Sequence, residues 1–319
     1  MKTEISKEVL NIINNNNSFL LTSHYSPDGD ALGSVIALGL TLKKLNKKAY
    51  YHIDKAFTDK YLFLTKIEDL NNDISQLSFD VGISLDCGDI NHLFGSEVLD
   101  KCGKILNIDH HKSNNFFGDV NLVDVEASAT GEIIYELINS LEVDINRDVA
   151  ICLYTAIVTD TGNFKYSNTT SKTHLIVSNL LKQSIRHWEI NKRLFDEHKR
   201  AKVLLMGKTI ENLQFDFDNK LVLSILTQED IKKVGAYQEE VEGLINIGRD
   251  IIGVEVSVFI KETQPNEYKV GFRSNNYVDV GEIALEFGGG GHSRASGCTI
   301  LGEKDQIIKS LKDLISKKI

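Results

Sequence analysis

Hydrophobic and polar positions change period repeatedly along the chain. Apolar residues recur at helical spacing over 5–13, and the asparagine run at 14–17 ends that pattern. A compact apolar run at 18–24 then predicts a buried strand. It is followed by a turn containing Pro27 and Gly29, after which helical spacing resumes through Leu38, Leu42 and Leu45. Further strands are predicted at 49–53, 79–86, 105–108 and 121–124, and helices at 132–141 and 146–158. Strands alternating with helices imply an α/β fold, with a doubly wound, mainly parallel sheet in the N-terminal part. Residues 185–213 are charged, helical in period and free of glycine until Gly207, which reads as a helical connector. Beyond it come a strand at 220–226, a helix near 239–247, and strands near 253–260 and 268–273. A segment at 281–287, a glycine run and an amphipathic helix at 304–317 close the chain. The expected division is 1–184, a connector at 185–213, and a smaller α/β domain at 214–319.

Composition narrows the function classes. With 319 residues, 42% hydrophobic and 25% charged, the chain is ordinary globular material long enough for two domains. A formal charge of −9 argues against a protein that tracks long duplex nucleic acid. Short anionic substrates stay open, because a bound metal can supply local positive charge. The four cysteines are far apart and form no Cys-x-x-Cys pair, so reduced thiols are expected. No apolar run reaches membrane-spanning length, and residues 1–4 carry an early acid unlike a signal peptide. A cytoplasmic protein with no membrane partner is the expectation.

The candidate chemistry sits where hydrophobic elements end. The run at 105–108 closes in Asp109-His110-His111, and the run at 79–85 closes in Asp86. His24, Asp28 and Asp30 crowd the first strand–turn–helix junction, and Asp160 follows another apolar element just before Gly162. In a parallel sheet the strand C-termini would gather these groups. Asp28 and Asp30 taken singly read equally well as capping acids of a helix, and the triplet alone reads as a surface loop. Recurrence at element ends favours a metal site. In the second part, Gly288-Gly289-Gly290-Gly291-His292 lets backbone approach a ligand and aim N–H groups at an anion. Arg273-Ser274, at the end of a strand, adds a planar donor fork, with a strand-end ion pair as the alternative for Arg273.

In this order the motifs resemble the DHH-family phosphoesterases that carry a C-terminal DHHA1 domain, in particular the stand-alone bacterial oligoribonucleases that also act as phosphatases of 3′-phosphoadenosine 5′-phosphate (pAp). The matching residues are His24-x-x-x-Asp28-Gly29-Asp30-Ala31-Leu32-Gly33-Ser34, Asp86, Ile108-Asp109-His110-His111, Ala129-Thr130-Gly131-Glu132, Thr159-Asp160-Thr161-Gly162 and the glycine run. Ala295-Ser296-Gly297 departs from the Ala-Ala expected there.

The resemblance implies a DHH catalytic domain, a smaller DHHA1 domain with a mixed sheet, and a cleft between them. It implies two divalent metal ions, one on His24, Asp28 and Asp86 and one on Asp30, Asp86, His110 and Asp160, with Asp86 bridging. Mn2+ suits these thiolate-free ligands and is the family's usual metal; Mg2+ or Co2+ can substitute. The implied catalytic set is Asp86, His111 near the scissile phosphate, and Asp109 holding a ring N–H. Arg273, Ser274, Gly288, Gly289, Gly290, Gly291 and His292 would hold a terminal phosphate or sugar. The implied reaction is hydrolysis of very short RNA to 5′-mononucleotides and of pAp to AMP. A phosphodiesterase for pApA or cyclic di-AMP shares every motif. A non-catalytic nucleotide-binding regulator is disfavoured, because no expected ligand is missing. For assembly, a homodimer is the working expectation.

Overall fold

Two units make up the chain, Met1–Glu197 and His198–Ile319. The computed structural model describes residues 5–55, 59–64, 73–75, 77–241 and 243–319, without the side chains of Gln238 and Glu239. The reading of residues 1–4 as no signal peptide lies outside them.

In the first unit the elements are α1 (Lys7–Asn15), β1 (Ser18–Thr22), α2 (Gly29–Lys44), β2 (Lys48–His52), β3 (Phe79–Leu85), β4 (Cys102–Asp109) and β5 (Val120–Val123). The helices α3 (Thr130–Ser140), α4 (Arg147–Asp160), α5 (Ser171–Leu181) and α6 (His187–Asn191) follow. All strand pairs are parallel, in the order β2-β1-β3-β4-β5. Chain direction across the sheet therefore reverses between β1 and β3, the switch point where open α/β sheets bind ligands. Alternation along the strands sends Phe19, Leu21, Val81, Ile83, Leu106 and Ile108 into a core shared with α2, α3 and α4. Leu20 faces the other way and clusters with Phe79, at the start of β3, and with Val98 of the 3₁₀ turn Ser96–Lys101. The helix α2 lies hard against α4, and Gly33 permits this: a Cβ there would sit 2.5 Å from the Cys152 carbonyl oxygen.

The second unit runs α7 (Arg200–Glu211), β6 (Gln214–Asp216), β7 (Leu221–Leu226), α8 (Gln228–Lys233), α9 (Ile245–Arg249), β8 (Val256–Gln264) and β9 (Glu267–Ser274). It ends with α10 (Val280–Glu286), β10 (Gly290–His292), β11 (Ala295–Leu301) and α11 (Lys304–Ile315). Its sheet is mixed, ordered β10-β11-β9-β8-β7-β6; β7–β8 is parallel and the other pairs are antiparallel. One face supplies Val256, Val258, Val270 and Phe272 to a core with Ile283 of α10 and Leu311 of α11.

The α/β class and the parallel N-terminal sheet agree with the sequence pattern, and the mixed C-terminal sheet agrees with what the resemblance implies. Details differ. The stretch 185–213 is not one helix: α6 runs into a π-helical turn, Lys192–Asp196, then extended backbone at Glu197, before α7 begins. The boundary between the units falls inside this stretch. The helix read near 239–247 is a 3₁₀ turn, Gln238–Val241, and the short α9. Neither α5 nor β10 was anticipated. The strand β10 forms inside the glycine run because it pairs with β11, and a Cβ on Gly289 would collide with the Gly297 carbonyl and Cys298. Close backbone packing thus accounts for part of that run's glycine content.

Candidate metal centre

The exits of β1, β3 and β4 and the last residue of α4 bring seven polar side chains together. His24 leaves β1; its Nδ1 lies 2.7 Å from the Tyr25 carbonyl, so Nε2 turns inward, 3.8 Å from Asp86 Oδ2. Asp28 caps α2: its Oδ1 accepts from the Asp30 and Ala31 amides at 3.0 and 3.1 Å. Capping and membership of the cluster coexist, because one atom each of His24, Asp28 and Asp86 lie within 4.8 Å of one another.

Asp30 is wholly buried in the first turn of α2. Its Oδ2 accepts from the Thr130 amide at 2.6 Å, and its Oδ1 from the Gly131 amide at 2.9 Å and the Ser34 hydroxyl at 3.1 Å. The N-terminus of α3 thus grips this carboxylate, as its free amides and dipole favour. Asp86 is in the left-handed region, with φ 55, where β3 gives way to its exit loop. Its Oδ1 accepts from Thr130 Oγ1 at 2.9 Å. Asp160 is the last residue of α4 rather than a residue beyond it.

The two histidines of the triplet diverge. His110 sets Nδ1 against the Ala127 carbonyl at 3.2 Å and points Nε2 at three carboxylates: Asp86 and Asp160 at 3.6 Å and Asp30 at 3.8 Å. Asp30, His110 and Asp160 form a second group with atoms within 4.8 Å of one another. His111 donates from Nδ1 to Asp109 Oδ1 at 2.7 Å and leaves its half-exposed ring edge free. Asp109 is fully buried, and its other oxygen accepts from Asn114 Nδ2 at 2.6 Å. Asn114, buried and also bonded to Asn107, locks this arrangement; the sequence reading gave it no role. Thr130 was missed likewise, although the motif around it stood out.

Charge in the cluster is uncompensated. Burial first, then Asp86, Asp160 and Asp28, push the Asp30 carboxyl well above the usual range. Burial and Asp28 raise Asp86 against the pull of His110, His111 and His24. Asp160 is pushed up to about 6 by burial, with His110 opposing and Asp86 and Asp28 adding to it. The hydrogen bond that His111 donates to Asp109 raises the His111 pKa to about 9, against burial and with help from Asp86. Carboxylates that raise one another's pKa, interleaved with inward-facing imidazole nitrogens, are a donor set that fits divalent cations. No thiolate belongs to it; Cys87, nearby in sequence, is buried and its thiol is pushed up to about 12.

The remaining predicted residues lie in the second unit. Ala295 pairs with both Arg273 and His292, so these form one row across β9, β11 and β10. Arg273 Nη1 donates to the Phe272 carbonyl at 2.9 Å. Ser274 is buried, donates to the Ser293 carbonyl and accepts from Arg294 Nη1, which gives it a structural role. Gly288, Gly290, Gly291 and His292 are exposed, and Gly289 is half-buried.

A parallel sheet whose switch point carries such an acid–imidazole cluster defines an α/β protein with a candidate site for divalent metal. Comparison with known proteins gives the family. Residues 18–157 match the DHH family, N-terminal domain, and residues 218–317 match the DHHA1 domain. The bifunctional oligoribonuclease and PAP phosphatase NrnA of Thermus thermophilus is 32% identical over 302 residues, covering 94% of this chain and 89% of that protein. The Bacillus subtilis protein of the same name is 28% identical, covering 98% of each. The crystal structure of an exopolyphosphatase-related protein from Bacteroides fragilis superposes with a TM-score of 0.89 at 27% identity, covering 97% of this chain and 95% of that one. The chain belongs to the DHH/DHHA1 phosphoesterase family and is a hydrolase.

Proposed function

We propose that this enzyme hydrolyses very short oligoribonucleotides to 5′-mononucleotides and removes the 3′-phosphate of pAp to leave AMP. The observation that carries the reading is Asp86, which groups with His24 and Asp28 on one side and with His110 and His111 on the other, while His110 also groups with Asp30 and Asp160. In this reading His24, Asp28 and Asp86 hold one divalent ion and Asp30, Asp86, His110 and Asp160 the other. The oxygen and imidazole donors suit Mn2+, with Mg2+ or Co2+ as substitutes. When bound, the ions supply Lewis acidity for activating water and neutralising charge on the phosphoryl oxygens.

The chain's own residues do the rest. Thr130, Gly131 and Ser34 fix Asp30, and Thr130 also fixes Asp86, so the carboxylates are oriented before substrate arrives. Asp109 and Asn114 orient His111 and keep it protonated. His111 then offers its Nε2 proton to a non-bridging oxygen or to the departing ester oxygen. We assign Arg273, His292 and the exposed backbone of the glycine run to holding the rest of the substrate. The names of the relatives support the substrate class. Among the described residues no helix is long and apolar enough to cross a membrane, and all four cysteines are free, which suits a reducing cytoplasm.

The test is product analysis with purified protein on pAp, pApA, cyclic di-AMP, RNAs of two to five residues and a long RNA, with Mn2+ and with chelator. Cleavage of pAp and several short RNAs, lost with chelator, is the expected result. Turnover confined to pApA or cyclic di-AMP would replace it with second-messenger breakdown, and binding without any turnover would make the protein a regulator.

A further inference from the structure

The second unit's sheet has a face that the assigned residues do not account for. Along β9, Tyr268, Val270 and Phe272 enter the core, so Lys269, Gly271 and Arg273 share the opposite face. In register on β8 stand Lys261, Phe259 and Ser257, and on β11 Thr299, Gly297 and Ala295. Lys261, Lys269, Phe259, Gly271, Gly297 and Gly289 help to line a cavity of about 670 Å³ on this face.

One feature of the cavity has no explanation within the unit. Lys261 and Lys269 are direct cross-strand partners, and like charges so placed are destabilising. Among the described residues neither lysine donates a hydrogen bond or pairs with an acid. Burial, then the charge of Lys269, holds Lys261 below the usual lysine range. Beside the pair, Gly271 and Gly297 face each other, and packing accounts for both: a Cβ on Gly271 would lie 3.1 Å from Ile245 Cδ1 and one on Gly297 3.1 Å from the Val270 carbonyl oxygen. An unneutralised cationic pair lining a cavity complements a phosphate of a single-stranded nucleic acid.

We propose that this face is a length-sensing subsite for single-stranded RNA, in which Lys261 and Lys269 take a phosphate beyond the one assigned to Arg273. The inference rests on the oligoribonuclease reading above and deepens it. Arg273 and Lys269 are four residues apart on one strand, about 13 Å, further than the phosphate of a single nucleotide reaches. A substrate as short as pAp gains nothing from the lysine pair; a tri- to pentanucleotide does. Substrate preference then follows from the number of phosphates seated, with no base read.

The experiment compares kcat/KM on pAp and on di- to pentanucleotides for the Mn2+-loaded wild type, Lys261→Ala/Lys269→Ala and Lys261→Arg/Lys269→Arg. The alanine pair should lower the tetranucleotide-to-pAp ratio about tenfold, and the arginine pair should restore it. For the tetranucleotide, the dependence of log kcat/KM on log salt should become shallower by about 1.4, as expected when two lysines no longer neutralise the phosphates of a single strand. An unchanged ratio, or equal losses on pAp and tetranucleotide, would overturn the subsite while leaving the functional reading in place. A wild type that cleaves pAp but no RNA would instead remove the reading and the subsite together.

Discussion

Asp160→Asn tests the metal assignment without relying on turnover. In the metal-free protein Asp160 rises from 3.8 to about 6, through burial and the repulsion of Asp86 and Asp28, which outweigh His110. A folded-state pKa above the unfolded value means that folding favours the protonated acid. The native state is therefore penalised once the group ionises, with the penalty growing from pH 3.8 to about 6 and constant above. A shift of that size is at most about 3 kcal/mol. Asparagine keeps the shape and removes the charge. In chelator at pH 8 the variant should be more stable than wild type by about 1–3 kcal/mol, or roughly 3–10 °C in Tm. At pH 5 the gain should shrink. With Mn2+ that advantage should shrink or reverse, because wild type gains about 2.7 kcal/mol at a hundredfold excess over Kd, whereas the variant has lost a ligand. Thermal unfolding at two pH values, with chelator and with Mn2+, reads all four states. A variant less stable than wild type in chelator at pH 8, or one with an undiminished Mn2+ shift, would refute the reasoning.

Three further substitutions probe other parts of the argument. Asp109→Asn should lower kcat on pAp by about 10²-fold or more yet keep the Mn2+-induced Tm shift. Its alkaline limb should also move from about 9, where Asp109 holds His111, towards the ordinary histidine value of about 6.5; a pH–rate profile with an unmoved limb would count against His111 as the proton donor. Glu255→Gln should destabilise the second unit by about 2–4 kcal/mol, because this buried carboxylate accepts from the Asn276, Tyr277 and Val278 amides and from Asn276 Nδ2. Burial alone would raise Glu255, but those donors hold it low, so the difference in denaturation midpoint should be full above about pH 4.3 and fade below it. Gly33→Ala should cost about 1–3 kcal/mol, because its Cβ would press on the Cys152 carbonyl; urea unfolding with an unchanged midpoint would show that α2 and α4 can separate freely.

What the sequence made legible was local. The junction at 22–30 carries a strand end, a proline–glycine turn and a helix start within nine residues, so the crowding of His24, Asp28 and Asp30 could be read directly. The parallel sheet was legible because each buried strand is a compact apolar run. The strand order was not, and it is the order that sets the exit of β1 beside that of β3. Thr130 and Asn114 escaped for the same reason: their roles depend on partners that only the fold supplies. Thr130 bonds to a carboxylate 44 positions away, and nothing near it in sequence announces this. Gly288–291 misled in part, since its composition suits a ligand loop and also a tightly packed hairpin. The helical period over 185–213 could not reveal the break at Glu197, where neither proline nor glycine marks a stop.

Hydrogen-bond supply alone does not separate the candidate ligands from their supports. Asp30 accepts from two amides and a hydroxyl, a well-furnished carboxylate by count, and is still pushed far up. Glu255 is also buried and similarly furnished, and is held low. Depth and neighbours both differ: Asp30 lies deeper and faces Asp86, Asp160 and Asp28, whereas donors surround Glu255 nearer the surface. Asp109 belongs with Glu255. Although it opens the triplet and is as buried as Asp30, it is held low, because His111 and Asn114 outweigh burial. An acid already balanced in this way has little to gain from a cation. Asp30, Asp86 and Asp160 are unbalanced in the protein alone, and His110, whose Nε2 meets all three, is the member of the triplet turned towards that deficit. The three consecutive residues therefore divide into a support, a ligand candidate and a proposed proton donor, a division set by their partners.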